Sequence, residues 1–508
     1  MMTEKMAEQP YVLKNGGSLD REEDTRLMEK LIELNPMVSI DFRHNDIGLG
    51  NLYAACFAYK ARFCVDNLQW YLYENGCWKI DKGEIKSQGL MQTLLQMLHM
   101  YADEIADDYD ADSIKQYHSY INKSSSDAIV RRALNASKNN LVIDITEFDA
   151  NPYFLNCTNG VFDLRTQAFR QSVAADYLTR STACGYMPDK LFTPCSRWYS
   201  FIDEITSGDK DKAKYLQKAL GYSLLGENEQ ECLFIAYGKT LRNGKGTLFN
   251  SVAKVLGLGL ENGYGGSISP LLICDTGKER DYNAPEPMLA DTLGVRYLTL
   301  SEAKRDIELD SASVKSFTGR DPRKTRQLHA HAFTFTPQFT IWLSTNYLPR
   351  VNDDGIFRSD RMWVIPFDRH FEREERDETL KRQFETTDAM RTILRWLIDG
   401  YKLYVQEGLL PPQSVVDATN DYARKNDRPR CFVEECCETV SGEKTNRKEM
   451  FKAYERWCKD DERSYKHILG SGKFYESMRR FFTEYDAGNG DRGFRDVRLK
   501  RQPGTITL

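Results

Sequence analysis

Short apolar runs, each long enough for one buried strand, recur through the middle of the chain. They are ECLFIAYG, VRYLTLSE, FTIWLSTN and MWVIPF, at residues 231–238, 295–302, 339–346 and 362–367. The segment TLFNSVAKVLG, residues 247–257, has apolar positions three and four residues apart, which indicates a helix. Buried strands that alternate with helices are typical of a parallel sheet covered on both faces. The pattern therefore predicts an α/β core.

Amphipathic helices and short hairpins are predicted on the N-terminal side of this core. Residues 20–34 and 88–106 have helical spacing, and a further helical stretch runs from about 197 to 226. Two pairs of strands are predicted, over 68–81 and 154–169, each with an Asn-Gly turn.

Helices return at 387–424, and a small basic module follows from about residue 428. The module is predicted to contain helices near 447–459 and 473–484 and a hairpin over 486–499.

The length of 508 residues suggests about three domains. We expect a lead-in over 1–36, a mixed α+β domain over 37–195, the α/β core over 196–425 and a C-terminal domain over 426–508. The content of 41% hydrophobic and 29% charged residues is typical of a globular chain.

No apolar run approaches the roughly 20 residues that span a bilayer, and the first residues lack the apolar core of a signal peptide. We therefore expect a cytoplasmic protein without a membrane partner. The net charge of −5 excludes a surface that attracts nucleic acid everywhere, so a nucleic-acid partner would need a local basic stripe or channel.

Twelve cysteines are present, but none forms a C-x-x-C pair. A loose C-terminal group does not have the paired spacing of a zinc site. Its members are Cys431, Cys436, Cys437, Cys458 and His467. We expect free thiols in a reducing cell.

The segment YGKTLRNGKGTLF, 237–249, lies between a predicted strand and a predicted helix and resembles a phosphate loop. Backbone N–H groups and the helix N-terminus in such a loop bind phosphate, Lys245 would reach the β- and γ-phosphates of ATP, and Thr247 would help hold Mg²⁺. The expected nucleotide-binding residues are Gly238, Arg242, Asn243, Gly244, Lys245, Gly246, Thr247 and Leu248.

The loop departs from the usual pattern in two ways. Five residues rather than four separate Gly238 from Gly244, and Gly246 stands where serine or threonine is usual. The GKGT ending also occurs in nucleotide kinases, so the loop alone does not identify the reaction.

Polar residues end two later strands. Glu302 ends VRYLTLSE and is the candidate carboxylate for orienting water and holding Mg²⁺, with Ser301 where many motors have a first acid. Asn346 ends FTIWLSTN and is a candidate γ-phosphate sensor. Alternatively, Glu302 starts an exposed helix and Asn346 starts a plain turn.

Arg358 and Arg361 precede the strand MWVIPF. An arginine supplied by a neighbouring subunit can stabilise charge on a transferring phosphoryl group, which predicts a ring with ATP sites at subunit interfaces. The alternative is an ordinary pair of surface arginines.

Together these motifs resemble the superfamily-three helicases, specifically the phage/plasmid primase-helicase family related to the poxvirus primase-helicase. The resemblance also includes NCTNGVFDLRTQ, YLQKALGYSLLG, DRMWVIPFDRHF and the segment 314–349, and it extends over about residues 40–505. The order of the motifs is more specific than any one of them.

The resemblance implies an AAA+-like P-loop core, a helicase-associated N-terminal domain, a C-terminal winged helix and a hexamer that translocates on single-stranded or forked DNA. It implies that Lys245 and Thr247 bind ATP and Mg²⁺, that Glu302 acts in hydrolysis and that Asn346 is the sensor. It also implies that Arg361, or else Arg358, acts in the neighbouring subunit. A phage-encoded chain would work in the host cytoplasm.

The basic segment KSFTGRDPRKTRQLHAHAF resembles the hairpin that projects into the ring channel in these helicases. The expected DNA-binding residues are Lys315, Arg323, Lys324, Arg326 and His329. The alternative is an exposed charged loop. In the C-terminal module, either DNA or a protein partner is compatible with the modest basic excess.

Asp108, Asp110 and Asp112 alternate in an exposed acidic turn, which does not support a two-metal priming site. We therefore expect no intrinsic primase activity and a separate primase or initiator as a partner. Two other functions are open: a nucleotide kinase, and an origin-binding initiator whose ATP site controls assembly without robust unwinding.

Overall fold

The computed structural model describes residues 21–188, 192–275, 287–300, 307–325, 333–351, 354–460, 468–488 and 490–500. The candidate residues that lie outside these ranges are Ser301, Glu302, Arg326, His329 and His467. Of the helices within the described ranges, none combines the length and apolar character needed to cross a bilayer.

The N-terminal part packs helices on one face of a four-stranded sheet ordered β3-β2-β1-β4. Its elements are α1 Arg21–Leu34, α2 Asp46–Phe57, β1 Ala61–Cys64, β2 Gln69–Glu74, β3 Cys77–Ile80, α3 Ile85–Glu104, α4 Ala111–Ser124, α5 Asp127–Ser137 and β4 Val142–Ile143. The predicted helices over 20–34 and 88–106 and the predicted hairpin over 68–81 are confirmed. Asn75 and Gly76 turn that hairpin with φ angles of 52° and 77°, the left-handed pair that suits a two-residue turn.

A second small sheet, ordered β5-β6-β7, and two helices lead into the core. The elements are β5 Phe154–Cys157, β6 Gly160–Asp163, β7 Ala168–Arg170, α6 Ser196–Ile205 and α7 Lys210–Tyr222. The strand pair over 154–169 is confirmed. The helical stretch predicted over about 197–226 consists of two helices, α6 and α7, because Ser207 and Gly208 adopt φ angles of 56° and 75°, which no α-helix accommodates.

The predicted parallel α/β core is confirmed. Its five-stranded sheet has the order β16-β8-β14-β10-β9, and each neighbouring pair is parallel. The elements of this region are β8 Leu233–Tyr237, α8 Lys245–Val255, β9 Gly265–Ile268, α9 Pro287–Ala290, β10 Tyr297–Leu300, β11 Glu308–Leu309, α10 Ser311–Thr318, β12 Arg323–Thr325, β13 Phe333–Phe335, β14 Thr340–Thr345, β15 Arg350–Val351 and β16 Met362–Pro366.

Both faces of the sheet are buried, which explains the uninterrupted apolar runs in the sequence. Phe234 and Trp342, on neighbouring strands, stack at 4.6 Å between ring centroids within one hydrophobic cluster. Leu233, Ile235 and Ile341 alternate with them and belong to a second cluster on the opposite face.

The chain ends in a helical segment and a small α/β module. The elements are α11 Leu380–Gln383, α12 Thr387–Glu407, α13 Gln413–Asn426, α14 Arg428–Cys436, β17 Cys437–Asn446, α15 Arg447–Asp460, α16 Ser471–Met478, β18 Glu484–Asp486 and β19 Arg492–Leu499. Strands β18 and β19 form the predicted hairpin, and β17 pairs with the other edge of β19. The helix predicted over 473–484 ends earlier than expected, at Met478, because the chain turns there towards β18.

Arg296 ties the core sheet to the segments that precede it. Its side chain is buried and donates hydrogen bonds to Leu224 O and Phe154 O, both at 2.7 Å. Its guanidinium also lies 4.6 Å from the ring centroid of Tyr264. Burial lowers the pKa of Arg296 from its usual value, because the charged guanidinium is removed from water. The two carbonyl acceptors and the aromatic face offset part of that desolvation.

We predict that Arg296→Met destabilises the core. The substitution keeps an apolar side chain but leaves two carbonyl groups without their donor, a loss of about 3 kcal/mol that corresponds to a fall of about 6–12 °C in Tm. Thermal unfolding followed by tryptophan fluorescence measures the shift. Arg131→Met is the control, because the Arg131 side chain is 63% exposed and pairs with Asp127 on the surface. Equal Tm values for the two variants would contradict the role of Arg296.

Candidate functional site

The carboxyl ends of β8 and β14 meet at one edge of the core sheet. These neighbouring strands are parallel, with Tyr237 opposite Thr345. Gly238 follows β8, and its N–H donates to Thr345 O at 3.2 Å. Asn346 follows β14. Polar groups that end parallel strands therefore lie side by side here, as ligand-binding residues do in open α/β sheets.

A tight turn over residues 238–244, the strand–helix turn, connects β8 to α8. Arg242 and Gly244 adopt left-handed φ angles of 62° and 83°, which fold the chain back so that α8 starts at Lys245. A Cβ on Gly244 would lie 2.3 Å from Ile205 Cγ2, so glycine is required there. The buried Asn243 side chain donates to Thr240 O at 2.7 Å and holds the turn from inside.

Lys245 and Asn346 are in contact although 101 residues separate them. The Lys245 ammonium, on a side chain only 5% exposed, donates to Asn346 Oδ1 at 2.9 Å and to Gly238 O at 3.4 Å. A Cβ on Gly238 would lie 2.6 Å from Lys245 Nζ and 2.1 Å from Asn243 Nδ2. A side chain at 238 would therefore displace the ammonium and the Asn243 amide and crowd Phe367 O at 2.8 Å.

The segment that follows β16 braces the strand–helix turn from outside. Phe371 N–H donates to Arg242 O at 2.9 Å, and His370 Nδ1 lies 2.8 Å from Leu241 O. The motif DRMWVIPFDRHF extends to residue 371, but no residue of 367–371 was among the expected site residues. The segment reaches the turn because it leaves the carboxyl end of a strand adjacent to β8.

Asp368, also absent from the expected residues, is an exposed acid at the same edge. Burial raises the pKa of Tyr237, the last residue of β8, and the Asp368 carboxylate adds to that rise. The edge therefore has one buried cation and at least one carboxylate close by.

The start of α8 has the features of an anion site. Gly244 caps it without a side-chain hydrogen bond, and Gly246 faces open space, since a Cβ there would meet no atom within 4 Å. The Thr247 hydroxyl has no hydrogen-bond partner among the described residues. An uncapped helix N-terminus next to a lysine can bind phosphate. Leu248 is fully buried beneath the turn, where it supports α8.

The two candidate arginines lie at the opposite edge of the sheet. Arg361 precedes β16, and its carbonyl accepts from Leu233 N–H, at the start of β8. The five residues of β8 separate this point from the strand–helix turn by about 17 Å. The structure therefore does not bring Arg358 or Arg361 to Lys245 of the same chain.

Arg361 is anchored within its own chain. Its guanidinium forms an ion pair with Glu231 and donates to Thr318 Oγ1 at 3.1 Å and to Lys315 O at 3.5 Å. Arg358, in contrast, is exposed and has no hydrogen bond or ion pair with any described residue.

The basic segment after α10 forms a β-hairpin. Strands β12 and β13 are antiparallel, with Lys324 opposite Thr334, and the tip between them lies outside the described residues, as do Arg326 and His329. Lys315 and Lys324 are exposed. Arg323 is half-buried, with its guanidinium 4.3 Å from the Phe317 ring centroid. Of the expected DNA-binding residues that are described, the two lysines are thus the more accessible.

Within the described part of the chain, no three His, Cys, Asp or Glu side chains form a group that could hold a metal ion. All twelve cysteines are free thiols. Burial is the largest cause that raises the pKa of Cys436 to about 11 and that of Cys437 to about 12, so both thiols are protonated at neutral pH.

The comparisons with known proteins agree with the N-terminal motifs. Residues 52–207 match the family described as D5 N terminal like. The mimivirus protein "Putative helicase L207/L206" of Acanthamoeba polyphaga mimivirus is 28% identical over 310 residues, which are 57% of this chain and 31% of that protein. The fowlpox virus protein "Primase D5" is 24% identical over 259 residues, 47% of this chain and 30% of that protein.

Among solved structures, the apo C-terminal region of NrS-1, residues 305–718, covers 86% of this chain and 95% of its own, with 9% identity and a TM-score of 0.43. The chain spans about a third of the length of the two viral relatives. Because one of them is named a primase, our expectation that this chain lacks primase activity stays a prediction. The matched N-terminal domain and the viral relatives together support a D5-like primase-helicase family for this chain.

Proposed function

We propose that this chain is the motor of an ATP-dependent DNA helicase that acts in viral or plasmid replication. The observation that carries the proposal is the contact between Lys245 Nζ and Asn346 Oδ1 above an uncapped helix N-terminus. A buried lysine and a polar strand end at one edge of a parallel sheet are the pair that a nucleoside-triphosphate motor needs to bind and sense a γ-phosphate.

Each candidate residue has a role in the proposed reaction. Lys245 contacts the β- and γ-phosphates, and Asn346 aligns the attacking water and senses whether the γ-phosphate is present. Thr247 and Glu302 hold Mg²⁺, which offsets the negative charge of the phosphates. Asn346 Oδ1 accepts from Lys245 Nζ, so binding of ATP has to exchange that hydrogen bond for contacts with phosphate.

The far position of the arginines supports a ring. An arginine about 17 Å from the strand–helix turn of its own chain can assist hydrolysis only in a neighbouring copy. We propose a hexamer with an AAA+-like core of the superfamily-three kind. Arg358, which is exposed and has no ion pair within the described ranges, is then better placed than Arg361 to reach the neighbour. Arg361 instead connects the sheet to α10.

The hairpin of β12 and β13 is the proposed grip on single-stranded or forked DNA. Lys315 and Lys324 are exposed, and Arg326 and His329 follow in the chain, so positive charge is concentrated in one segment of a protein whose net charge is −5. Such contacts bind phosphates without reading sequence. The C-terminal module, which we propose is a winged helix, offers a second surface for DNA or for a separate primase or initiator.

The names of the viral relatives favour a helicase over a nucleotide kinase or an initiator. Since the chain spans about a third of those proteins, unwinding by this chain is itself part of the proposal. ATP hydrolysis measured with and without single-stranded DNA, together with unwinding of a forked duplex, tests it. Strong stimulation and unwinding are expected. Phosphate transfer to a nucleoside monophosphate, or ATP-dependent assembly without turnover, would contradict it.

Lys245→Ala is expected to reduce ATP turnover by at least about a hundredfold, because it removes the cation that neutralises the phosphates. A phosphate-release assay at saturating DNA measures the change. Lys254→Ala is the matched control, since Lys254 lies on the same helix but at its exposed far end, paired with Glu385. Full turnover in the Lys245 variant would refute the assigned site.

Asn346→Ala is expected to lower kcat by about a hundredfold while KM for ATP changes only a few-fold, because the amide acts mainly on the transition state. Steady-state kinetics separate the two constants. Tyr347→Phe, at the adjacent and 52% exposed position, serves as control. A large rise in KM with unchanged kcat would mean that Asn346 only binds nucleotide.

Mixing inactive variants tests the arginines. Arg358→Ala and Lys245→Ala chains are each expected to be inactive, yet random mixing gives about a quarter of the interfaces an intact lysine facing an intact arginine. Partial recovery of ATPase is therefore expected. A mixture of Arg361→Ala and Lys245→Ala chains is expected to recover less ATPase. Arg361 pairs with Glu231 of its own chain, so its loss acts within that chain and a neighbour cannot replace it. Absence of recovery in rings shown to be mixed would exclude a trans role for Arg358.

A further inference from the structure

A cleft of about 410 Å³ lies away from the strand–helix turn. It is bounded by the β5–β6 segment, by the residues just before β8 and by the last turns of α12. Its lining includes the polar and aromatic residues Tyr153, Arg165, Glu229, Gln230, Tyr401 and Tyr404. Glu229 and Gln230 precede β8, so the cleft opens near the amino edge of the core sheet, about 17 Å from the turn that follows β8.

The floor of the cleft is apolar except for two hydroxyl groups. Leu164, Tyr401 and Tyr404 are 1%, 3% and 7% exposed. Tyr404 OH accepts from Gln230 Nε2 at 2.9 Å. Burial of the ring raises the pKa of Tyr401, and its hydroxyl has no hydrogen-bond partner among the described residues. The hydroxyl oxygen is not itself one of the fully buried unpaired atoms, so it is accessible from the cleft and in position to bond a ligand.

The wall and rim supply a stacking surface and both signs of charge. The Arg165 guanidinium lies 4.1 Å from the Tyr153 ring centroid. Arg165 and Glu229 are exposed, and neither forms an ion pair with a described residue. Arg165 therefore keeps donors for a phosphate. Glu229 and Gln230 each hydrogen-bond the Tyr404 hydroxyl, and their remaining carboxylate oxygen, amide oxygen and second amide hydrogen can bond the edge of a planar polar ring.

We propose that this cleft binds an unpaired nucleobase. Its volume lies in the range of small-ligand sites, and its lining of aromatic rings with a few convergent polar groups is of the same kind. Unpaired bases stack on tyrosine rings and arginine planes and bond through their edges, while the adjoining phosphate takes a cation. The choice of a base on a DNA strand, rather than a free mononucleotide, rests on the proposed function. The cation on the rim disfavours a lysine or arginine side chain of another protein.

Binding of a labelled thymidine oligonucleotide to the full chain, without ATP, tests the proposal by fluorescence anisotropy. Arg165→Ala and Tyr153→Ala are each expected to weaken binding about tenfold, because one stacked base contributes on that order. Tyr401→Phe, which removes only the hydroxyl, is expected to have a smaller effect of the same sign. Arg131→Ala, an exposed arginine elsewhere, is the control and is expected to bind as the wild type does.

An abasic oligonucleotide of the same length separates base from backbone. The wild type is expected to bind it more weakly than the thymidine strand, and the Tyr153 and Arg165 variants are expected to lose most of that preference. Equal weakening on both strands would overturn the proposal, since it would assign the cleft to phosphate alone. Unchanged DNA binding with altered self-association, measured by sedimentation, would also overturn it and identify a protein contact.

Two further arms fix the source and the independence of the site. Thymidine monophosphate at millimolar concentration is expected to compete weakly, and full competition would overturn the preference for a strand. The whole series is repeated with Lys245→Ala chains. Unchanged results there are expected, because the cleft and the turn lie at opposite edges. Absence of ATP turnover in wild-type chains that still bind the base would count against the proposed motor and not against the cleft.

Discussion

The pairing of β8 with β14 is the constraint on which the candidate site depends. Parallel pairing in the register Tyr237 opposite Thr345 brings the ends of two distant segments together, so that Lys245 Nζ and Asn346 Oδ1 lie 2.9 Å apart. A slip of the register by one residue would reverse the faces of β14 and move Asn346 away from the lysine. The glycines at 238 and 244 then remove the side chains that would block this approach.

The two edges of the core sheet have different functional groups. The carboxyl edge has the lysine, the amide and an uncapped helix N-terminus, whereas the amino edge has Arg358, the Arg361–Glu231 ion pair and the aromatic cleft. Arg361 also contacts Thr318, at the end of the helix that leads into the β12–β13 hairpin. In an assembly that joins the amino edge of one copy to the carboxyl edge of the next, nucleotide in one subunit would adjoin the hairpin support of its neighbour.

Local patterns predicted what depends on neighbours in sequence. Apolar runs predicted four core strands, β8, β10, β14 and β16, and the Asn75-Gly76 pair predicted its hairpin, because burial on two faces and left-handed turns leave a direct mark on composition. The fifth core strand, β9, was missed, since Gly265–Ile268 is not an apolar run. The split of the 197–226 helix was missed, since Ser207 is not a residue that favours a left-handed backbone. Strand β17 was missed as well, because its exposed polar residues give no apolar alternation and only pairing with β19 defines it.

Contacts between residues far apart in the sequence could not be predicted from local patterns. The bracing of Arg242 by Phe371, and the capture of Arg361 by Glu231, depend on which strand lies beside β8. The motif order did indicate Lys245 and Asn346 as one site, and their contact agrees with that hypothesis.

An electron-microscopy reconstruction of the full chain with a non-hydrolysable ATP analogue, Mg²⁺ and single-stranded DNA tests the central claim most directly. Density for the triphosphate is expected at Lys245, with Asn346 beside the γ-phosphate and Arg358 of an adjacent copy facing that phosphate. Nucleotide bound elsewhere, or bound at Lys245 in isolated chains that have no neighbour near the phosphates, would contradict it.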